Sequence, residues 1–294
     1  MVLGDVMLDV RANLSGDRFD EAIAGESVAA GQIAVTAAGS GPNLARALGR
    51  HFDSVVLLGA VGQDPAARLL VDLLDKEPFA SVITETEGRS GTALVLRDAA
   101  GPDAPHGQRI VVADRAANDE LATADVTRRF DLIREADLAC VDGYGLLHEP
   151  RRGATRNFMA LARDAGTEVF CDLVPHDLHH YATVDQCRQW LADATIVGTS
   201  ALTLACLFER PMPEKDDDGA MAGLAELASA VLGVRTLLVR YGYGHCSRSL
   251  AYRQDHGALW CEPTAYPDQP ADQVAAYGDT LTADELHRLV GAGV

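Results

Sequence analysis

A chain of 294 residues with 48% hydrophobic content and 27 glycines has material for one large α/β domain, or a core with a smaller appendage. Its 25 Lys and Arg against 43 Asp and Glu give a formal net charge of −18. Such a surface repels phosphate backbones and anionic membranes, and 5% aromatic content is too little for a base-stacking platform, so the expectation is no nucleic acid and no membrane partner.

In chain order, MVLGDVML is strand-like and breaks at Gly4-Asp5. PNLARALGRHF has helical spacing, and SVVLLGAVG follows as a buried strand. PAARLLVDLLDK is again helical. DLACVDGYG, the helical RNFMALARDAG and TEVFCDLVP continue the pattern. CRQWLADA, ATIVG, helices through 201–208 and 219–232, and the strand RTLLVRYGYG complete it. This βαβα order predicts a doubly wound, mostly parallel sheet with helices on both faces. Residues 11–37 and 89–113 interrupt it with β-type alternation and no following helices. They are expected to pair as a small β-sheet lid, with 99–107 as the loop between two of its strands. EKDDDG at 214–219 reads as a solvated loop ahead of a helix.

Cys140, Cys171, Cys187, Cys206, Cys246 and Cys261 are scattered with no C-x-x-C pair, as expected of reduced, buried thiols. No apolar run approaches 18 residues and no charged-then-apolar leader is present, so a cytoplasmic protein is expected. His176, His179 and His180 have i, i+3, i+4 spacing, but a crevice or surface group is expected rather than zinc, and the metal-ligand set is expected to be empty.

Three glycine clusters fall near strand ends, where an α/β sheet forms its ligand crevice: Gly39-Ser40-Gly41-Pro42-Asn43, Gly59-Ala60-Val61-Gly62-Gln63-Asp64 and Gly278-Asp279. Their order is more informative than any one alone. GDVMLD, AAGSGPNLARALG, LLGAVGQD, GTALVL, RAANDELATADV, VDGYGLL, LLVRYGYGHC and AAYGD resemble, in sequence, the landmarks of the ribokinase (PfkB-type) carbohydrate kinase family. The resemblance implies a single ribokinase-like domain over 1–294, a three-layer core with the lid over a sugar.

It also implies roles. Asp9 would bind substrate hydroxyls, and Gly39, Gly41 and Asn43 would form the substrate loop; a strand-end surface acid and a helix cap are the ordinary alternatives for Asp9 and Asn43. Asp64 would cap the next helix. Asp279 would be the general base, with the backbone N–H groups of Ala276, Tyr277 and Gly278 as the anion hole, and ATP with Mg2+ as cofactors. The implied activity is ATP-dependent phosphorylation of a primary hydroxyl on a sugar or nucleoside-like small molecule, with a homodimer through the lid edge.

The sequence departs from the family pattern on the nucleotide side. Ala276 and Tyr277 stand for Gly and Ala, and Leu202 stands where a Glu would support magnesium. Only Asp172 survives of the D-x-N-x-R stretch, Gly242-Tyr243-Gly244-His245 stands for G-x-x-G, and the sequence stops at Val294 where family members usually continue through further helix. These changes keep open an impaired kinase-fold protein that senses a ligand or serves as a partner subunit. Thr282-Ala283-Asp284-Glu285 is a rival helix start that would leave Asp279 one turn too early.

Overall fold

The computed structural model describes residues 1–15, 19, 30–98, 108–175, 177–214, 217–241, 248–261 and 277–291. The chain opens with strands β1 (Val2–Leu3), β2 (Met7–Leu14) and β3 (Gly31–Ala38), then helix α1 (Ser40–Leu48), β4 (Val56–Val61) and α2 (Pro65–Leu74). It continues through β5 (Ala80–Glu85), β6 (Gly91–Arg97), β7 (Arg109–Asp114), the short helices α3 (Thr123–Thr127) and α4 (Phe130–Arg134), and β8 (Leu138–Asp142). Next come α5 (Arg151–Asp164), β9 (Glu168–Asp172), α6 (Val184–Trp190), β10 (Ile196–Ser200) and α7 (Ala201–Leu207). The last elements are α8 (Asp218–Leu232), β11 (Thr236–Tyr241), β12 (Arg248–Arg253), β13 (Gly257–Cys261) and α9 (Tyr277–Gly291).

Nine strands form one sheet in the order β13-β12-β11-β10-β9-β8-β1-β4-β5, parallel from β11 to β5. Its central strands are apolar on both faces because helices cover both, and alternate residues sort between two cores. Leu3, Leu58, Val141 and Cys171 join Phe158 of α5, Leu204 of α7 and Leu224 of α8 on one side. Val2, Leu57, Cys140 and Phe170 join Leu44 of α1, Leu70 of α2 and Leu286 of α9 on the other. The chain's two ends are thereby brought together, with α1 and α9 packed side by side.

A second, four-stranded sheet has the order β3-β2-β6-β7, with β2 and β6 parallel and the outer pairs antiparallel. The expected pairing of the two β-rich interruptions is therefore present, although β2 begins at Met7, immediately after the break at Gly4-Asp5. The expected loop at 99–107 lies outside the described residues.

Two features differ from expectation. β12 and β13 form an antiparallel hairpin on the sheet edge, where the sequence reading ended the alternation at β11. Its signal was Gly257 with φ 73° at the turn, a left-handed conformation natural to glycine. The rival helix start at Thr282 is also incorrect: α9 already runs from Tyr277, and Thr282 is buried, with its Oγ1 accepting from Arg240 Nη1. No helix among the described residues is long and apolar enough to cross a membrane. Cys140, Cys171, Cys187 and Cys206 are free thiols, the first three buried.

Candidate active site

The C-terminal ends of the parallel strands, where an α/β sheet places its ligand crevice, meet α1 and α9: Asp142 of β8 accepts from Ser40 of α1, and Arg240 of β11 bonds Thr282 of α9. Gly39 enters α1 with φ 97°, and a Cβ there would stand 2.3 Å from Asp5 O, so glycine is demanded on both counts. At Gly41 a Cβ would fall 2.8 Å from Leu57 Cδ1 and 3.0 Å from Gly4 C. That glycine is thus explained by the close passage of α1 over β1. Asn43 lies within α1, its N–H donating to Gly39 O at 3.2 Å, so it is not the helix cap; its Oδ1 accepts from Arg46 Nη1 at 3.2 Å.

Beneath this loop sits a buried polar cluster that the sequence reading did not single out. Asp142 Oδ2 accepts from Ser40 Oγ at 2.5 Å and from Asp5 N at 3.2 Å, and its Oδ1 accepts from Gly145 N at 3.0 Å. Asp5 faces Arg115, with Nε 2.9 Å from its Oδ2, while Arg151 Nη2 lies 4.0 Å from its Oδ1. Burial, then the Asp142 charge, raises Asp5 to about 6 against the pull of the two arginines. Asp5 and Asp142 were legible as strand-end acids in GDVMLD and VDGYG. Arg115 and Arg151 carry no comparable sequence signal.

Asp9 is buried at 5% exposure rather than lying at the surface. Its Oδ2 pairs with Arg11 Nε at 2.8 Å, and its Oδ1 is buried without a hydrogen-bond partner. Asp64 caps α2, accepting from Ala67 N at 3.0 Å, and also accepts from Ser90 Oγ at 2.7 Å, tying the core to the start of β6. Against the effect of burial, these bonds hold its carboxyl below the usual range.

At the other end of the crevice, Asp279 occupies the first turn of α9 and is half-buried. Burial, then the Asp172 charge, raises it to about 7, while Arg240 pulls the other way. Arg240, near the end of β11, reaches Asp172 Oδ1 at 2.5 Å through Nη2 and Thr282 Oγ1 through Nη1. It therefore fastens α9 to the end of β9. Its sequence signal was a charge interrupting the apolar run LLVRY. Glu285, also on α9, is 4% exposed with both carboxyl oxygens unpartnered; burial raises it to about 7 against the pull of Arg240 and Arg288.

Gly278 is exposed, and among the described residues nothing lies within 4 Å of a Cβ built there. Ala276 lies outside the described residues, as does the stretch Gly242-Tyr243-Gly244-His245; of Tyr277 only the backbone is described. Leu202 points to solvent at 47% exposure, and the cap of α7 is Ser200, whose Oγ accepts from Thr203 N at 3.1 Å. His179 and His180 sit on a single turn with ring centroids 4.0 Å apart, and His176 lies outside the described residues. Among the described residues no group of three metal-ligating side chains converges.

A doubly wound parallel sheet carrying a small four-stranded sheet beside its C-terminal crevice is the ribokinase-like fold. The Giardia lamblia ribokinase structure superposes with a TM-score of 0.75 over 99% of this chain and 82% of its own, at 17% identity. The 2-dehydro-3-deoxygluconokinase of Thermotoga maritima gives 0.76 over 99% and 87%, at 16% identity. Among curated proteins, an uncharacterized sugar kinase of Archaeoglobus fulgidus is 29% identical over 114 residues, covering 37% of this chain and 43% of that relative. The match thus spans under half the relative's length. Residues 1–288 match the model of the pfkB family carbohydrate kinases, and the chain belongs to that family.

Proposed function

We propose that the protein transfers the γ-phosphoryl group of ATP to a primary hydroxyl of a small sugar or nucleoside-like substrate, with Asp279 as general base. The observation that carries this reading is the raised Asp279 carboxyl, at about 7, on the first turn of a 15-residue helix. A base poised near neutral pH takes a proton readily and is still ionised in good part. The N-terminal turn at Gly278 suits an anion, since the leading N–H groups of a helix and its dipole both favour negative charge. In this reading Ala276, Tyr277 and Gly278 supply N–H groups, Asp9 and Asn43 orient substrate hydroxyls, and Gly39 and Gly41 shape the loop. Arg240 places a fixed cation beside the reacting centre. The smaller sheet closes over the substrate as a lid.

The residues fit ATP through that turn and that arginine. Among the described residues no group of ligating side chains forms a cage for Mg2+, so the ion is read as arriving on the nucleotide phosphates, as magnesium commonly does. The test is a panel of sugars and nucleosides with ATP consumption as readout. Turnover on none of them would remove the assignment.

A second reading, a ligand-binding protein with impaired catalysis, is favoured by one observation: solvent-facing Leu202 where a magnesium-supporting carboxylate is expected. Calorimetric titration with ATP separates the two, because affinity that strengthens with Mg2+ speaks for the kinase.

For a homodimer, we place the contact on the apolar face of the small sheet rather than along a strand edge. Ile33, Val35, Leu94, Ile110 and Val112 are exposed there at 39–73% and share that face by register. Sedimentation of the wild type beside Val112→Lys checks it, the variant being expected to run as monomer.

A further inference from the structure

An asparagine amide can meet a ligand with its oxygen or with its nitrogen, and at Asn43 a neighbouring arginine decides which. Arg46 stands one turn further along α1, and its Nη1 donates to Asn43 Oδ1 at 3.2 Å. A guanidinium carries five N–H donors and no acceptor, so only the oxygen end of the amide can face it. The nitrogen end points elsewhere and has no partner among the described residues.

The rest of the guanidinium is occupied. Its Nε and Nη2 meet both carboxyl oxygens of Glu77, at 2.9 and 2.6 Å, and Nη2 also donates to Ala37 O at 3.3 Å. Glu77 closes the end of α2, its N–H donating to Leu74 O at 3.0 Å. Ala37 lies near the end of β3, just before Gly39. One arginine therefore ties the strand that enters the substrate loop, the helix that leaves it and the end of the next helix. A lone i, i+3 contact on a helix surface is worth little, because both side chains must be ordered to make it. Here the ordering has another source: a two-bond arginine–carboxylate pair fixes the guanidinium plane. The pair is also only partly exposed, at 34% and 19%. The Asn43 amide is thus held in place before any ligand arrives, which lowers the cost of binding one.

We infer that Arg46, clamped by Glu77, is a positioning residue that fixes Asn43 as a hydrogen-bond donor to an oxygen of the substrate. This rests on the reading of Asn43 as part of the substrate loop. Asp9, whose buried Oδ1 has no partner, offers the complementary acceptor. A substrate that meets both presents an O–H to Asp9 and an oxygen lone pair to Asn43, as a hydroxyl-rich sugar can. The charge of Arg46 also reaches Asp279, where burial and then the Asp172 charge raise the carboxyl while Arg240 and Arg46 pull the other way. Arg46→Lys separates the two effects, because it keeps the cation and loses the planar fork.

The test is calorimetric binding of D-ribose, D-fructose, D-glucose and adenosine to the full chain without nucleotide. The proteins compared are the wild type, Arg46→Lys, Asn43→Ala and the double variant. On the probe that the wild type binds most tightly, Asn43→Ala should weaken binding about 10-fold and Arg46→Lys about 5-fold, the scale of one hydrogen bond. Because Arg46 acts through Asn43, the double variant should bind no more weakly than Asn43→Ala alone. A general loosening of the loop would persist without Asn43, and the two effects would then multiply. Glu77→Gln loosens the clamp without altering α1 and should weaken binding about 3-fold. Effects that multiply in the double variant, an affinity that Arg46→Lys leaves unchanged, or no binding of any probe overturns the inference. A lowered unfolding midpoint at unchanged affinity does so too, since the Glu77 pair would then only join α1 to α2. ATP consumption on a probe whose affinity ignores Arg46 would keep the kinase reading and discard this one. Binding that depends on Arg46 through Asn43, with no ATP consumption on any probe, would do the reverse.

Discussion

At the α1 end of the crevice, the Asp142 carboxylate is surrounded by donors: Ser40 Oγ, Asp5 N and Gly145 N all point at it. At the α9 end, Glu285 is as deeply buried and its carboxyl has no hydrogen-bond partner. Residues of one chemical type thus sit at opposite ends of one crevice in opposite states. A carboxylate with its bonds filled is fixed in place, and it fixes the loop it holds; the Gly39–Asn43 turn is therefore set before anything binds. A carboxylate stripped of water without replacement bonds is held near its protonated form and adds repulsion to its neighbours. The α9 end is in tension until cations or protons arrive.

The largest expected effect tests whether that tension serves chemistry. Asp279→Asn removes the proposed base while preserving shape, and kcat should fall at least ~10²-fold, the usual contribution of a positioned general base. Steady-state rates on the best substrate of the panel measure it. Thermal stability near pH 8 should hold or rise, because a desolvated charge has been removed.

Glu285→Gln comes next and reads the same tension as stability. Glu285 sits at about 7 in the folded chain against 4.5 for a freely solvated glutamate, so the folded state binds more protons between those values. Its contribution is fully present below about 4.5 and is lost as pH rises through about 7. The variant should therefore match the wild type near pH 4 and be more stable at pH 8.5. The gap there is up to about 3 kcal/mol, since each pH unit between the folded and unfolded values is worth about 1.36 kcal/mol. Urea unfolding at the two pH values measures the gap, and a difference independent of pH would show that the carboxyl is not desolvated.

The contrast also explains what could be read from the sequence. The doubly wound core was legible because parallel strands buried on both faces, such as LACVD and VLLGAV, are apolar without alternation, and β-type stretches with no following helix, at 11–37 and 89–113, marked the second sheet. Asp9, Asn43, Asp64 and Asp279 were legible because collinear landmarks fixed their places. Arg115 and Arg151 were not, since a surface arginine and a buried one look alike in sequence until folding brings three distant segments around Asp5. Gly41 was legible as a required glycine, but its reason is the backbone of Gly4, a contact between segments 37 residues apart in sequence. The β12–β13 hairpin was overlooked because the expectation of a parallel pattern outweighed a local turn signal at Gly257.

Arg240 carries the next effect in size. Replacing it with Met removes the cation that opposes Asp279 protonation and frees the Asp172 charge to raise it further, so the acidic limb of the kcat profile should move to higher pH. Activity at pH 7 should fall about tenfold and partly recover by pH 9, since the ionised fraction of a base below its pKa drops about tenfold for each pH unit that the pKa rises. Arg240→Lys keeps the charge and should hold the limb near its place; a loss equal at all pH values in both variants would mean that Arg240 only braces α9.

The smallest effect comes from the satisfied end. Ser40→Ala deletes one of three donors to Asp142, whose other two are backbone N–H groups that the substitution leaves in place. The cost should be about 1–2 kcal/mol in unfolding free energy, the range for removing one partner of a buried hydrogen bond. The pH profile of kcat should not move, because Ser40 carries no charge and Asp142, one of the charges that raise Asp279, keeps its two backbone donors. The sugar KM should rise instead, since the hydroxyl helps set the turn that presents Asn43. If Ser40→Ala shifts the pH profile, the two ends of the crevice are electrostatically one site, and the division between a preset half and a tensioned half is lost.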